Sequence, residues 1–232
     1  MKSFLKAVGV VTVFAMSQVV FAQTGNIAKI ESGDIVQEDI HDFEIRMSSG
    51  FLVQPEKKSS RSTRVTIDSA GNRTYNFTGS GRLLWKTDKY FGKTELRNGP
   101  TSEPERIPYL PPSNVKLEDG AQWVVKPKGN NKECGDWYAT WRAITRDGPE
   151  TKLVIDGSEI SLRTINITLN YDTKESNQGS CDPIIKITKD ILYSPDLGEV
   201  ISFQETRIRA RNGEQYTSGY SVKTTSITKA KK

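Results

Sequence analysis

After its first two dozen residues the chain has no long apolar run, and it is poor in imidazole and thiol: one His and two Cys among 232 residues. Each scarcity excludes a chemistry. A Ser-His-Asp triad has only His41 to build on, and Gly79-Ser80-Gly81 lacks the Gly-x-Ser-x-Gly spacing of a nucleophile elbow. Asp39 and His41 fall on one face of a strand, but transition-metal sites take three or four ligands and no others can be placed. No catalytic residue, metal ligand or cofactor motif is therefore read. Glycoside hydrolysis needs only two carboxylates and no histidine, so a secreted hydrolase acting on envelope polymer stays as an alternative. The balance leans away from catalysis.

The two cysteines, Cys134 and Cys181, form no Cys-x-x-Cys element. In an exported chain an even pair reads as one disulfide, here closing a loop whose entropy is worth about 4 kcal/mol. Helical periodicity is missing as well. No segment after residue 22 keeps apolar residues at helical spacing for the eleven residues that define a helix.

What is present begins with an address. Lys2 and Lys6 precede an uncharged apolar run over 7–21, and Val20-Phe21-Ala22 supplies a small-residue cleavage pattern before Gln23. Residues 1–22 read as a secretory signal peptide of bacterial type, too short to be a comfortable membrane span. No cysteine stands at the cut to carry a lipid. The mature chain is expected in the periplasm or outside the cell, and not to span the membrane. The net charge of +5 falls by two when Lys2 and Lys6 leave. Much of the remainder lies in Lys223, Lys229, Lys231 and Lys232, so the balance gives no nucleic-acid footprint. Residues 229–232 read as a disordered, solubilising basic tail.

The body is punctuated as strands. Short runs rich in Thr, Val, Ile, Tyr and Trp, separated by Gly, Asn, Asp and Pro, recur at 42–53, 64–68, 73–77, 82–88 and 94–97. They return at 123–126, 137–146, 151–155, 158–171, 183–193, 200–211 and 215–227. Asp68 to Asn72, Asp156-Gly157 and Asn212-Gly213 sit where tight turns are needed. Between the halves, residues 99–114 carry five prolines and cannot form a central strand. They read as a linker or as a strap packed down through Ile107, Tyr109 and Leu110. The expected organisation is a 23–98 β half, the 99–114 segment and a 115–228 β half. Within 158–171 the alternation slips near Arg163 to Ile165, which means either a β-bulge in one long strand or two strands meeting at a corner.

Two faces stand out. Trp137, Ala139, Trp141 and Ala143 alternate along one strand; they form core, or line an apolar ligand cavity if the sheet stays open there. Arg207, Arg209 and Arg211 point to one face, either as a solvent face paired with cross-strand acids or as a stripe holding phosphates or carboxylates.

Tyr193-Ser194-Pro195-Asp196-Leu197-Gly198-Glu199-Val200 resembles the strand-turn-strand element near the C-terminus of exported bacterial proteins of unknown function. Those look like incomplete, strongly curved β-barrels, similar to periplasmic lipoprotein carriers, and the likeness concerns the C-terminal half. It is carried by turn chemistry, with Pro195 presetting φ and Gly198 supplying the exit. The combined expectation is all-β: a strongly curved antiparallel sheet or incomplete β-barrel, as one unit or as two β halves joined by the Pro-rich strap. Its function is read as non-catalytic binding of a lipid or other apolar small molecule, or of an envelope protein. An outer-membrane β-barrel is the remaining alternative.

Overall fold

A computed structural model describes residues 27, 29–88, 91, 93–95, 109–131, 135–177, 179, 184–211 and 213–231. The signal segment, Cys134, Cys181 and the first part of the Pro-rich stretch lie outside the described residues. Among those described there is no α-helix, only a 3-10 turn at Thr173–Glu175. The N-terminal strands are β1 (Ile35–Asp42), β2 (Ile45–Met47), β3 (Leu52–Gln54), β4 (Lys57–Ile67), β5 (Arg73–Phe77), β6 (Leu83–Thr87) and β7 (Lys93–Glu95). Then come β8 (Gln122–Val125), β9 (Lys128–Asn131), β10 (Gly135–Tyr138), β11 (Trp141–Asp147), β12 (Thr151–Ile155) and β13 (Ser158–Leu162). The C-terminal strands are β14 (Ile165–Tyr171), β15 (Ile184–Ser194), β16 (Glu199–Arg211) and β17 (Glu214–Thr228).

One sheet takes in nearly all of them, in the order β7-β6-β5-β4-β1-β17-β16-β15-β14-β11-β8. Neighbours on that path are antiparallel. Strand β1 runs along the C-terminal part of β17, from Ile35 opposite Thr228 to Asp42 opposite Tyr220, so the first and last strands share the middle of the sheet. The β12–β13 hairpin joins the same sheet through a short parallel contact of Val154 and Ile155 with Ser226 and Ile227. Strands β9 and β10 form a separate pair.

The sheet is strongly curved, and a distance proves it. In a flat sheet β5 and β16, four strand spacings apart, would be separated by roughly 19 Å. Instead Arg73 on β5 meets Glu199 on β16 at 2.6 Å. The N-terminal strands therefore curl over the C-terminal ones. Among the described residues the curl stops short of closure, since β7 and β8 are the two ends of the path. An outer-membrane barrel needs every edge paired, so the open sheet overturns that alternative.

Curling produces two apolar clusters on the inner face. One gathers Trp123, Trp141, Ala143, Ile167, Leu169, Ile191 and Phe203. The other gathers Val36, Val65, Tyr75, Leu153, Leu162, Leu197, Ile201 and Ile227, with the β12–β13 hairpin plugging that end. Tyr109, from the end of the Pro-rich stretch, is buried against the first cluster and stacks on Phe203, so this part packs down as a strap does.

Two expectations are corrected and one open alternative is decided. The anticipated 137–146 strand breaks at Ala139 and Thr140, because Thr140 turns its N–H to the Ser176 hydroxyl (2.7 Å) and its own hydroxyl to the Glu175 carbonyl (2.9 Å). The anticipated 158–171 strand is two: β13 pairs with β12, whereas β14 pairs with β11 and β15, so the period slip marks a corner. The basic tail is not free. Lys229 Nζ donates to the fully buried Asp34 carboxylate at 2.5 Å and to the Lys29 carbonyl at 2.7 Å, and the Ala230 N–H donates to Asp34 at 2.9 Å. Gly33 makes room for this latch: its φ is +98°, and a Cβ there would stand 2.9 Å from the Ala230 methyl. Asp34→Asn, which keeps the shape and removes the charge, is expected to lower stability by about 2 kcal/mol in a urea melt. An unchanged midpoint would show the latch to be ornamental.

Candidate cleft on the inner face

Where the two clusters approach each other the packing leaves a cleft. Its floor is Val36 of β1, Ile201 and Phe203 of β16 and Val222 of β17; Phe91 and Tyr109 lie over it. Its volume is about 50 Å³, so it is a narrow slot. Such a slot suits a flat or slender apolar group.

Its polar wall comes from strand alternation. On β1, Val36 and Glu38 share the inward face, and Arg61 stands directly opposite Glu38 on β4. Arg61 Nε donates to Glu38 Oε2 at 2.6 Å, with the side chains only 15% and 9% exposed. On β16, Glu199 alternates with Ile201 and Phe203. Its carboxylate accepts from Arg73 Nη1 (2.6 Å), from Tyr75 Oη (2.9 Å) and from the Val200 N–H (3.0 Å). Burial pushes the Glu199 carboxyl above the ordinary range, against the pull of Arg73, Tyr75 and the Val200 amide. Burial, reinforced by Glu199, also lifts the Tyr75 phenol well above its usual value, so it stays a neutral donor. The guanidinium of Arg73 lies 4.7 Å from the centre of the Phe91 ring, which fixes that residue against Tyr193. Thr87 is buried at the cleft, and among the described residues its hydroxyl has no hydrogen-bond partner.

The carboxylate-pair alternative finds two candidates here, Glu38 and Glu199, on one cleft. A glycosidase acid must carry a proton into the reaction. Each of these carboxylates is clasped by an arginine at 2.6 Å, an arrangement that holds a wall in place rather than delivering a proton.

The residues singled out from sequence fall elsewhere. Ala139, Trp141 and Ala143 are buried in the first cluster, Trp137 packs against it half-buried, and none of them lines this cleft. Arg207 and Arg209 lie on the inner face of β16, half-buried rather than on a solvent face, while Arg211 ends that strand. His41 accepts or donates one hydrogen bond, with Glu56 at 3.0 Å, and no group of three metal-ligating side chains exists among the described residues. Sequence reasoning missed Glu38, Arg61, Arg73 and Tyr75. It passed over Glu199 although that residue closes the Pro195–Gly198 turn. The available signal was a charge at an apolar beat, Glu199 preceding Ile201 and Phe203 in the same phase.

No protein-family model matches the chain, and no curated protein matches it. Two solved structures overlap it loosely. The hypothetical lipoprotein YmcC of Escherichia coli is 10% identical, with a TM-score of 0.35 over 79% of this chain and 82% of that one. A protein of Parabacteroides distasonis described as a lipoprotein is 12% identical, with a TM-score of 0.37 over 87% of this chain and 97% of that one. At these scores the fold assignment rests on the strand order itself.

Proposed function

We propose that the chain is a non-catalytic, envelope-associated binding module that takes an apolar or amphipathic molecule, such as a lipid, into the inner-face cleft. The observation that supports this is the open slot itself. It is floored by Val36, Ile201, Phe203 and Val222, overhung by two aromatic rings, and supplied with an unmatched Thr87 hydroxyl. Ligand sites are typically concave and apolar with a few fixed polar groups, and this cleft has that make-up. The secretory signal read in residues 1–22 supplies the compartment in which such a ligand would be met.

The test is to fill the slot. Val222→Trp is expected to weaken binding of the neutral apolar dye Nile red at least tenfold while the thermal midpoint moves by only a few degrees. Native mass spectrometry of protein purified from its own host is expected to show a bound lipid that the variant lacks. Unchanged dye binding in a folded variant would sink the cleft reading. An adduct-free wild type with no dye affinity would favour an envelope protein as the partner instead.

A further inference from the structure

Beyond the cleft, the inner face of β16 changes character. In one phase it runs Ile201, Phe203, Glu205, Arg207, Arg209, so the two arginines continue the floor and do not leave it. Directly opposite, on β15, stand Lys189 across from Glu205 and Ile187 across from Arg207. On β17 the residues across from Glu205, Arg207 and Arg209 are Tyr220, Ser218 and Tyr216, all uncharged.

The charges there do not balance. Arg207 Nη2 donates to Glu205 Oε1 at 2.7 Å, and Lys189 Nζ reaches Glu205 Oε2 at 3.4 Å while lying 4.7 Å from the centre of the Trp141 ring. One carboxylate thus serves Lys189 and Arg207, and no ion pair is formed by Arg209 among the described residues. Asp190, next to Lys189, belongs to the opposite face and accepts from Thr168 at 2.7 Å. Two further acids lie on this side among the described residues: Asp42 of β1, across β17 from Glu205 and opposite Tyr220, and Glu214, at the far end of β17, which accepts from the Ser49 hydroxyl at 3.0 Å.

The arginine Nε groups make the imbalance specific. Those of Arg207 and Arg209 are both shut off from water and, among the described residues, have no hydrogen-bond partner. A buried N–H left without an acceptor is unfavourable, and charged donors more so than neutral ones. The two residues alternate on one strand, about 7 Å apart along it, so they lie on the same face, and each has a buried N–H without an acceptor among the described residues.

We propose that Arg207 and Arg209 form an anion subsite that receives the phosphate or carboxylate head of an amphipathic ligand. Its apolar part would lie toward Phe203, about 13 Å away along the same strand. The position of the apolar part rests on the cleft reading; the anion subsite stands without it.

The experiment is calorimetric titration of the exported protein with decyl phosphate and, separately, with inorganic phosphate. Decyl phosphate is expected to bind at least tenfold tighter than inorganic phosphate. Arg207→Gln and Arg209→Gln are each expected to weaken it about tenfold, the effect of removing one charge-assisted contact. Glu205→Gln removes the competing carboxylate and is expected to tighten binding severalfold, an outcome that damage to the fold cannot produce. Arg209→Lys, which keeps the charge but loses the fork, is expected to fall between wild type and the glutamine variant. Nile red binding is expected to be unmoved in all four. Equal affinity for the two phosphates would overturn the amphiphile and leave a free-anion site. Decyl phosphate binding that ignores both arginines would overturn the subsite. If Nile red fails on the wild type while phosphate binding still depends on the arginines, the cleft reading falls and the subsite stands.

Discussion

Arg73→Ala is expected to lose about 3–5 kcal/mol of stability at neutral pH, the usual result of breaking a buried ion pair from one side. The pair is 13% and 4% exposed, and it joins β5 to a strand four places away in the sheet. Truncation leaves the Glu199 carboxylate inside with only Tyr75 and the Val200 amide as donors. The pH dependence identifies the cause. Burial already raises the folded pKa of Glu199 above its unfolded value, and removing Arg73 raises it further. For such a group the favourable contribution is complete below the unfolded pKa and disappears as pH rises through the folded one. The deficit of the variant relative to wild type should therefore shrink as pH falls from 7 toward the ordinary glutamate range. Urea melts at several pH values measure it. A deficit that is constant with pH would mean that packing of Arg73 on Phe91, rather than the charge, carries the loss.

Trp141→Ala is the second large effect, with an expected loss of about 3–5 kcal/mol. Trp141 is fully buried, meets the Tyr171 ring edge-on at 5.4 Å and lies beneath Lys189. Among the described residues its indole N–H has no hydrogen-bond partner. Trp141→Phe should therefore retain most of the stability, since only volume is lost and no bond is broken. Parallel denaturant melts decide the matter. If the alanine variant matched wild type in stability, the position would be open to solvent and the register of β11 against β14 would be wrong.

The C-terminal half was legible because its strands obey a simple rule. Trp141, Ala143 and Thr145 alternate with Arg142, Ile144 and Arg146, and the inward set is buried. The slip near Arg163 was visible too, but alternation cannot distinguish a bulge from a corner; that depends on whether β13 and β14 keep a common partner. The N-terminal half was harder. Strand β4 opens Lys57-Lys58-Ser59-Ser60, all exposed, and carries no apolar beat until Val65. Most of β1 escaped because it finds its partner near the other end of the chain, at Ile227 and Thr228. The cleft was hidden for the same reason: β1, β4, β5, β16 and β17 each contribute one or two residues, and only the curl of the sheet brings them together.

The pairing of β1 with β17 also sets how the fold responds to mechanical load. Ile35 faces Thr228, so both ends of the described fold leave from the same end of this antiparallel pair. A pull applied between them acts along the rungs of the ladder, because antiparallel hydrogen bonds lie perpendicular to their strands. The rungs then break one after another like a zipper, starting at Ile35, instead of sharing the force in shear. The Asp34–Lys229 contact sits beside that first rung and is the tooth that must give way before it.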